Sequence, residues 1–514
     1  MNAAAHLLAV GEPEKVAIES ADGSITYERL RDRVARAAAA WRSLGVGEGD
    51  RVLVLAPDCI GWIVAYLGAI WAGAVAVGLN SRLYERELET VVADSRARVA
   101  WCTQDTVALL RRCATTADSG PRLVTEREFE FVLDAQDPVA AADRDAADPA
   151  FWIYTSGTTG VPKAAIHAQR CVLASTDIAA GVLGAGCDDR FYSSSKLFFA
   201  YAHANSMCAG LRSGATVILD REWATPERVV EVVTRHQPTV AFIVPTLYLK
   251  LLQSGLAGKL RGVRHFVSAG EKLPPMIRSG WLRETGGSIV DGYGTSETNF
   301  LMLYDADGSG ILRPSPRAEV RWRGDEGWAP GPAGDGDAVA LGGPAREPGR
   351  VCEPGRVWIL HPSAAIGYWR RPDATADCFS DGCFSPGDLF LDAGGGRFEI
   401  RGRQDDLLKI AGQWVSVADL DGALMAGCGE YVQELGTMPF KTTDGLNAIA
   451  VFAVAKQDLH AQAAVALGAA IEALPKHRRP RKTTWVTALP RTATGKLQRN
   501  KLGELRAEPA LIDS

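Results

Sequence analysis

From Cys59 to Leu79 the chain runs for 21 residues without a charged side chain (CIGWIVAYLGAIWAGAVAVGL). That is long enough to cross a bilayer. Glycines at 61, 68, 73 and 78 interrupt the run, and its end has the apolar character of a buried strand. We therefore read a buried helix to about residue 71, a turn at Gly73 and a buried strand over 74–77, with no membrane span. Elements apolar on all sides need covering layers, which points to parallel sheets with helices on their faces. The same strand–helix–strand order recurs. Apolar runs at 51–56, 97–101, 215–219, 240–244 and 265–268 read as strands, and 27–44, 226–236 and 246–255 as helices. A hairpin is expected at the start, with 16–18 and 25–27 flanking the turn Ala21-Asp22-Gly23.

A length of 514 residues predicts about two to four domains. From 306 to 357 the chain becomes rich in Gly, Pro and Arg, and Glu-Pro-Gly-Arg-Val occurs at both 347–351 and 353–357. Short antiparallel strands and turns are expected there, with a looser stretch around 330–350. Beyond 405 the pattern is α+β, with helices near 417–426 and 458–473 and strands near 448–454 and 483–487. A linker at 403–406 divides residues 1–404 from 405–514. The net charge of -5 gives no footprint for nucleic acid. The ten cysteines contain no CxxC pair, which argues against zinc ribbons and thioredoxin chemistry. With no basic n-region before the apolar start, a reduced, cytoplasmic protein is expected.

Tyr154-Thr155-Ser156-Gly157-Thr158-Thr159-Gly160-Val161-Pro162-Lys163 sets hydroxyls and glycines between an apolar run and a lysine. Such a loop can wrap phosphate oxygens with N–H and O–H groups. Val-Pro before the lysine excludes a Walker A loop. Taken alone, the stretch also has a plainer reading as a flexible surface turn. Four further stretches bear on it. Asp291-Gly292-Tyr293-Gly294-Thr295-Ser296-Glu297-Thr298 joins an aromatic ring, hydroxyls and a carboxylate suited to a hard cation. Ser385-Pro386-Gly387-Asp388 puts a carboxylate after a turn. Arg401 to Lys409 is a charged cluster at the expected boundary, and Pro490 to Lys496 carries a lysine on a Gly-containing loop.

Together these stretches resemble the acyl-adenylate-forming superfamily of acyl-CoA synthetases, peptide-synthetase adenylation domains and luciferases, over nearly the whole chain. Within it the chain looks most like benzoate-CoA ligases and their aryl relatives. That likeness is carried by Lys196-Leu197-Phe198-Phe199-Ala200-Tyr201, Ser268-Ala269-Gly270-Glu271-Lys272-Leu273-Pro274, Gly367-Tyr368-Trp369-Arg370-Arg371-Pro372, Gly412-Gln413-Trp414-Val415-Ser416 and the segment from Thr492 to Arg499. The resemblance implies an α/β fold: a large N-terminal domain of two parallel-type sheets with helices and a small β-barrel-like part, then a small mobile α+β C-terminal domain. It implies ATP, Mg²⁺ and CoA, and activation of an aromatic, benzoate- or cinnamate-like acid to an acyl-adenylate and then a thioester.

The same resemblance implies roles for particular residues. Thr155, Ser156, Gly157, Thr158, Thr159, Gly160 and Lys163 would hold the β,γ-phosphates, and Glu297 the metal. Thr295 and Ser296 would contact the α-phosphate. Asp291, Gly292, Tyr293, Gly294, Gly270 and Glu271 would surround the nucleotide, with Tyr293 and Gly270-Glu271 flanking adenine. Asp388 would take the ribose with Arg403 beside it, and Lys496 would bridge the carboxylate and the α-phosphate. Asp405 would be the hinge of a domain swing, with Lys409 and Gly412 at the thiol tunnel. Phe199, Tyr201, His203, Ala269, Gly270 and Thr298 would line the acid pocket. His203 is open between a hydrogen bond to a ring hydroxyl or amine, a backbone carbonyl, and solvent. Relatives often pair as homodimers, so a homodimer is kept open.

The chain departs from the family pattern at Pro386 (usually Thr), at Val417 (usually Pro), at 426–430 and in the longer 330–357 region. These departures gather in and near the small domain, where an acceptor docks. Besides CoA, the acceptor is therefore left open to a carrier protein, an amine, or a diazotase activating nitrite for an aminoaryl acid. A non-catalytic ligand-binding relative is the third reading, against which stand Lys496, Glu297 and Asp388.

Overall fold

The computed structural model describes residues 1–82, 85–115, 120–156, 162–324, 327–329, 354–403, 407–410, 413–491 and 497–505. The charge-free stretch folds as the helix Ile60–Trp71, buried through Trp62, Ile63, Tyr66, Leu67 and Ile70. A turn at Gly73 (φ +88°) follows, then the strand Val75–Gly78. The helix's 12 residues rise about 18 Å, well short of the roughly 30 Å apolar layer of a bilayer. Among the described residues no helix is long and apolar enough to cross a membrane. The helix Tyr27–Ser43 packs against it. Thr26 caps this helix by accepting the N–H of Arg29, and Leu30, Val34, Ala37 and Trp41 are buried. A Cβ on Gly68 would stand 2.5 Å from that of Ala37. Glycine at this position lets the two helices meet, and filling it would cost about 1–3 kcal/mol of overpacking.

Two parallel-type sheets carry the larger part of the chain. One has the order Arg122–Thr125, Val99–Cys102, Arg51–Leu55, Val75–Gly78, Pro149–Ser156, Pro162–Ala168. It is parallel until the last two strands, which form an antiparallel hairpin. The other has nine strands. Its parallel centre runs Ile289–Tyr293, His265–Ala269, Val240–Phe242, Arg190–Ser193, Thr216–Ile218, Val16–Ser20, and antiparallel strands close both edges. The expected strands are there, with ends trimmed or shifted by one or two residues. Arg190–Ser193, in the middle of the nine, has no apolar run to announce it. The expected N-terminal hairpin stands, its second strand ending at Thr26, and Tyr27 begins the helix as expected, with its buried hydroxyl donating to the carbonyl of Ala215 at 2.6 Å.

A smaller antiparallel part pairs Glu319–Gly324 with Gly327–Ala329 and Gly355–Leu360, and the last of these with Cys383–Phe384. It stands where the barrel-like part is expected. The loose stretch 330–350 and the first Glu-Pro-Gly-Arg-Val lie outside the described residues.

The chain divides into two compact units. The larger comprises 1–350, 357–386 and 392–399, and the smaller 351–356, 387–391 and 400–514. In the smaller unit the helix Val417–Cys428 packs on the helix His460–Glu472 and on the strands Val432–Lys441 and Asn447–Ala455, while Lys482–Trp485 completes the sheet. Val432–Lys441 was not expected. It contains Gly436 and Pro439, which weaken a strand pattern, and it is an edge strand, where proline is tolerated. Val417 is the first helical residue after the cap Ser416, whose side chain accepts the N–H of Asp419. Proline is favoured at that position because its N–H has no helical partner. Valine therefore replaces it without losing a hydrogen bond.

Candidate functional site

The Gly/Thr loop joins the two strands of the hairpin Pro149–Ser156 and Pro162–Ala168, in which Thr155 stands opposite Lys163. Gly157, Thr158, Thr159 and Gly160 lie outside the described residues, as do Asp405, Gly412 and Lys496, and of Ser156 only the backbone is described. The hairpin's outer strand is flanked by a second extended segment. Ala165 bridges Tyr368, Trp369 N–H donates to Ala164 at 3.0 Å, and Ile166 N–H donates to Gly367 at 2.9 Å. This seam brings three side chains together. The Lys163 ammonium lies 4.7 Å from the centre of the Tyr368 ring, and the Tyr368 hydroxyl donates to Glu297 Oε1 at 2.7 Å. Burial pushes the phenol's pKa up, and the Glu297 carboxylate pushes it further.

Glu297 sits on a tight turn. Thr298 N–H donates to the Thr295 carbonyl, and the Thr298 hydroxyl takes the Thr295 N–H at 3.1 Å. A Cβ on Gly294 would come within 2.8 Å of the Phe300 carbonyl, so only glycine lets the chain fold back there. Two backbone contacts hold the turn to the hairpin side. Ala365 N–H donates to the Glu297 carbonyl at 2.7 Å, and His167 Nε2 lies 2.9 Å from the Ser296 carbonyl. The Thr295 hydroxyl oxygen is buried and has no partner among the described residues, an opening for a polar ligand atom. Glu297 Oε2 has no hydrogen bond among the described residues, which suits a hard, oxygen-seeking cation such as Mg²⁺.

On the neighbouring strands Ala269 pairs Gly292, and Gly270 turns the chain at φ +92°. Asp291 braces this turn by accepting the Leu273 N–H at 3.2 Å. Burial pushes its carboxyl up to about 6. Asp291 thus holds the Gly270-Glu271 segment, and Tyr293 ends the same strand.

The residues expected around the acid divide by face. Phe199 packs on Phe198 at 4.2 Å. The Tyr201 hydroxyl donates to the Val267 carbonyl at 2.9 Å, and its ring meets Phe242 edge-on. Two residues on, a π-helical turn, His203–Cys208, sends His203 the other way, into contact with Tyr66 and Phe151. His203 is buried, so it does not face solvent, and its Nδ1 meets the Asn299 side chain at 3.2 Å and, more distantly, Cys208 Sγ at 3.8 Å, not a backbone carbonyl.

A buried polar chain connects His203 to the Glu297 turn. Burial lowers the pKa of His203 to about 3 and that of His167 to about 4, so both are neutral at neutral pH. A neutral imidazole donates from one nitrogen only. The shorter contact assigns the His167 proton to Nε2, directed at Ser296. His167 Nδ1 then faces the Ser363 carbonyl at 3.2 Å and Cys171 Sγ at 3.6 Å, and the thiol reaches both Nδ1 and that carbonyl at 3.6 Å. The Asn299 amide donates to Cys171 Sγ at 3.9 Å, and His203 Nδ1 donates to Asn299 Oδ1 at 3.2 Å. His203 Nε2 remains a buried acceptor with no donor among the described residues. Sequence reasoning missed His167 and Cys171 because an isolated neutral polar residue carries no motif, and it placed Asn299 only within the 293–300 stretch expected along the acid pocket.

In the smaller unit Asp388 follows the Gly387 turn (φ +76°), and the Arg403 guanidinium lies 3.7 Å from where a Cβ on Gly387 would be. Lys409 pairs Trp414 in the hairpin Leu407–Ile410 and Gln413–Ser416, and its carbonyl takes the Asn447 side chain at 3.0 Å.

A hydroxyl- and glycine-bearing hairpin, a carboxylate turn docked on its seam and the surrounding parallel sheets define a nucleotide-activating fold. The chain belongs to the AMP-binding enzyme family, whose model matches residues 8–369. It is 37% identical to the 3-hydroxybenzoate–CoA ligase of Aromatoleum sp. (strain CIB), over 98% of this chain and 97% of that one. It is 34% identical to the benzoate–CoA ligase of Thauera aromatica, over 97% and 94%. A solved benzoate CoA ligase from Burkholderia xenovorans LB400 superimposes with a TM-score of 0.81 at 30% identity, covering 98% of this chain and 99% of that one. The nitrite-activating alternative draws no support from these relatives.

Proposed function

We propose that this chain is an ATP-dependent aryl-CoA ligase acting on a benzoate-like acid, with a hydroxybenzoate as the first candidate. The observation that carries this reading is 37% identity along 98% of the chain to a 3-hydroxybenzoate–CoA ligase. A carboxylate attacking the anionic α-phosphate of ATP needs fixed in-line geometry and charge neutralisation. In this reading Thr155 to Gly160 and Lys163 hold the β,γ-phosphates. The unpartnered Thr295 hydroxyl and Ser296 take the α-phosphate, and Tyr293 with Gly270-Glu271 flanks adenine. Asp388 and Arg403 hold the ribose, and Phe199, Tyr201 and Ala269 face the acid. Glu297 would hold Mg²⁺, which would supply neutralising charge to the phosphates. Lys496 bridges the carboxylate and α-phosphate oxygens as negative charge develops. Residues 405–514 then swing about Asp405 so that Lys409 and Gly412 line the path of the CoA thiol. The reading carries a cytoplasmic enzyme, and sedimentation tells whether it works as a homodimer.

The test is a panel of benzoate, 3-hydroxybenzoate, 4-hydroxybenzoate and cinnamate with ATP and Mg²⁺, with and without CoA, followed by AMP release and product mass. Acyl-CoA from at least one benzoate is expected. AMP released in the presence of CoA without any acyl-CoA would sink the acceptor. The domain swing is read from Lys496→Ala, which should abolish adenylate formation yet spare thioester formation from supplied acyl-AMP. Equal loss of both steps contradicts it.

A further inference from the structure

Tyr368 is the residue at this site whose contacts the roles above leave unexplained. Its position is set by the backbone. Ala165 bridges it, Trp369 N–H and Gly367 C=O pair the hairpin strand on either side, and its own N–H donates to Thr375 Oγ1 at 3.0 Å. Gly367 turns at φ +144°, and a Cβ there would stand 2.8 Å from Thr375 Cγ2. Phe379 meets the ring edge-on at 5.5 Å. The ring is therefore fixed by the backbone seam, Thr375 and Phe379.

On this ring two opposite charges meet. Lys163 stands over the face at 4.7 Å, and Glu297 Oε1 takes the hydroxyl at 2.7 Å. Both side chains are long and end at the same ring, yet they form no ion pair with each other among the described residues. A direct pair would neutralise the two groups that phosphates and a cation need. The aromatic face attracts an ammonium without supplying a countercharge, and a phenol O–H satisfies one carboxylate oxygen while leaving the negative charge in place.

We propose that Tyr368 is a positioning residue that keeps Lys163 and Glu297 apart and oriented. Its face holds the ammonium for an anion, and its hydroxyl turns Glu297 so that Oε2 is left for the cation. This rests on the reading that the site binds MgATP.

The experiment measures nucleotide binding by titration calorimetry on the full chain, with ATP plus Mg²⁺ and with ATP in excess EDTA. Tyr368→Phe keeps the ring and removes the hydroxyl. A lost hydrogen bond to a charged group weakens MgATP binding about tenfold, and metal-free ATP binding should be unchanged. Mn²⁺ titration followed by its spin-resonance signal should show the same tenfold loss on the enzyme–ATP complex. Tyr368→Leu removes the ring as well and should weaken both forms, because Lys163 can then close on Glu297. Glu297→Gln leaves the tyrosine in place, so it reports even where the aromatic variants fail to fold. It should weaken MgATP alone, and Tyr368→Phe added to it should cause no further loss. Equal weakening of ATP and MgATP by Tyr368→Phe, no effect on either, or full additivity with Glu297→Gln overturns the proposal while leaving the ATP reading intact. A wild-type chain that binds neither form overturns both.

Discussion

The hairpin side of the site and the buried chain behind Tyr201 use polar groups in opposite ways. On the hairpin side Lys163 and Glu297 are half-buried, and each touches one ring that leaves it available. In the buried chain His203, Asn299, Cys171 and His167 are closed from water and contact one another in series, ending on the Ser296 carbonyl. The first arrangement stores interaction for a ligand. The second spends it on holding the turn that carries Glu297. Chemistry and support therefore converge on one loop from two sides, and substitutions should separate them.

The largest separation is expected in catalysis. Glu297→Gln removes a charge facing the reacting phosphates and should lower acyl-AMP formation about 10²–10³-fold, the usual loss for a transition-state electrostatic group. The double variant His203→Leu/Asn299→Leu should change it only severalfold. Both are read by pyrophosphate release at saturating acid. A loss of similar size in the double variant would show that the buried chain touches the chemistry directly.

Acid should act on the buried side. An imidazole kept neutral in the fold takes up its proton only in the unfolded chain between pH 6.5 and the folded value. The unfolded state then binds more protons, and stability falls as pH falls through that window. For His203, lowered to about 3, this amounts to roughly 2 kcal/mol at pH 5. Asp58 and Asp291, raised by burial to about 7 and about 6, act with the opposite sign. The informative quantity is therefore the difference between chains. Relative to wild type, the double variant should gain roughly 2 kcal/mol in urea unfolding between pH 7 and pH 5. A constant offset would mean that the imidazole charges in the folded state.

The two sides also differ in how far they could be read in advance. Alternation of apolar runs with helical segments pointed to parallel sheets, and Thr155, Lys163, Glu297 and Asp388 stood out because charged and hydroxyl residues among glycines have few structural uses. Their mutual placement was not legible, since the Lys163–Tyr368–Glu297 contact depends on a segment some 200 residues away pairing with the hairpin. Tyr368 was visible only as part of a motif. His203 was singled out but its direction was not, because a π-turn shifts the helical register that periodicity assumes. His167, Cys171 and Asn299 look like ordinary core or loop residues, and only distance makes them a chain. Arg190–Ser193 and Val432–Lys441 were missed because tertiary pairing overrides a weak strand pattern.

Within the buried chain, breaking one link should cost more than removing two. Asn299→Leu leaves the His203 Nδ1–H without its acceptor and should lower stability by about 1–2 kcal/mol. Adding His203→Leu removes the stranded donor and should restore most of it. Urea midpoints of the two single variants and the double variant give the coupling. Additive losses would mean that the 3.2 Å contact carries no net energy.

The smallest effect should come from the link through sulfur. Cys171 is buried, and burial pushes its thiol pKa up, so it remains a weak S–H donor and should resist alkylation in the folded chain. Its contacts, 3.6 Å to His167 and 3.9 Å from Asn299, are long and individually weak. His167 keeps its stronger bond to Ser296 when the thiol is gone. Cys171→Ala should therefore lower stability by less than about 1 kcal/mol and leave acyl-AMP formation within twofold. The alternative is that the four groups polarise one another along the chain. In that case Cys171→Ala would cost as much as Asn299→Leu, and the sulfur would have to count as a full member of the scaffold that holds Glu297.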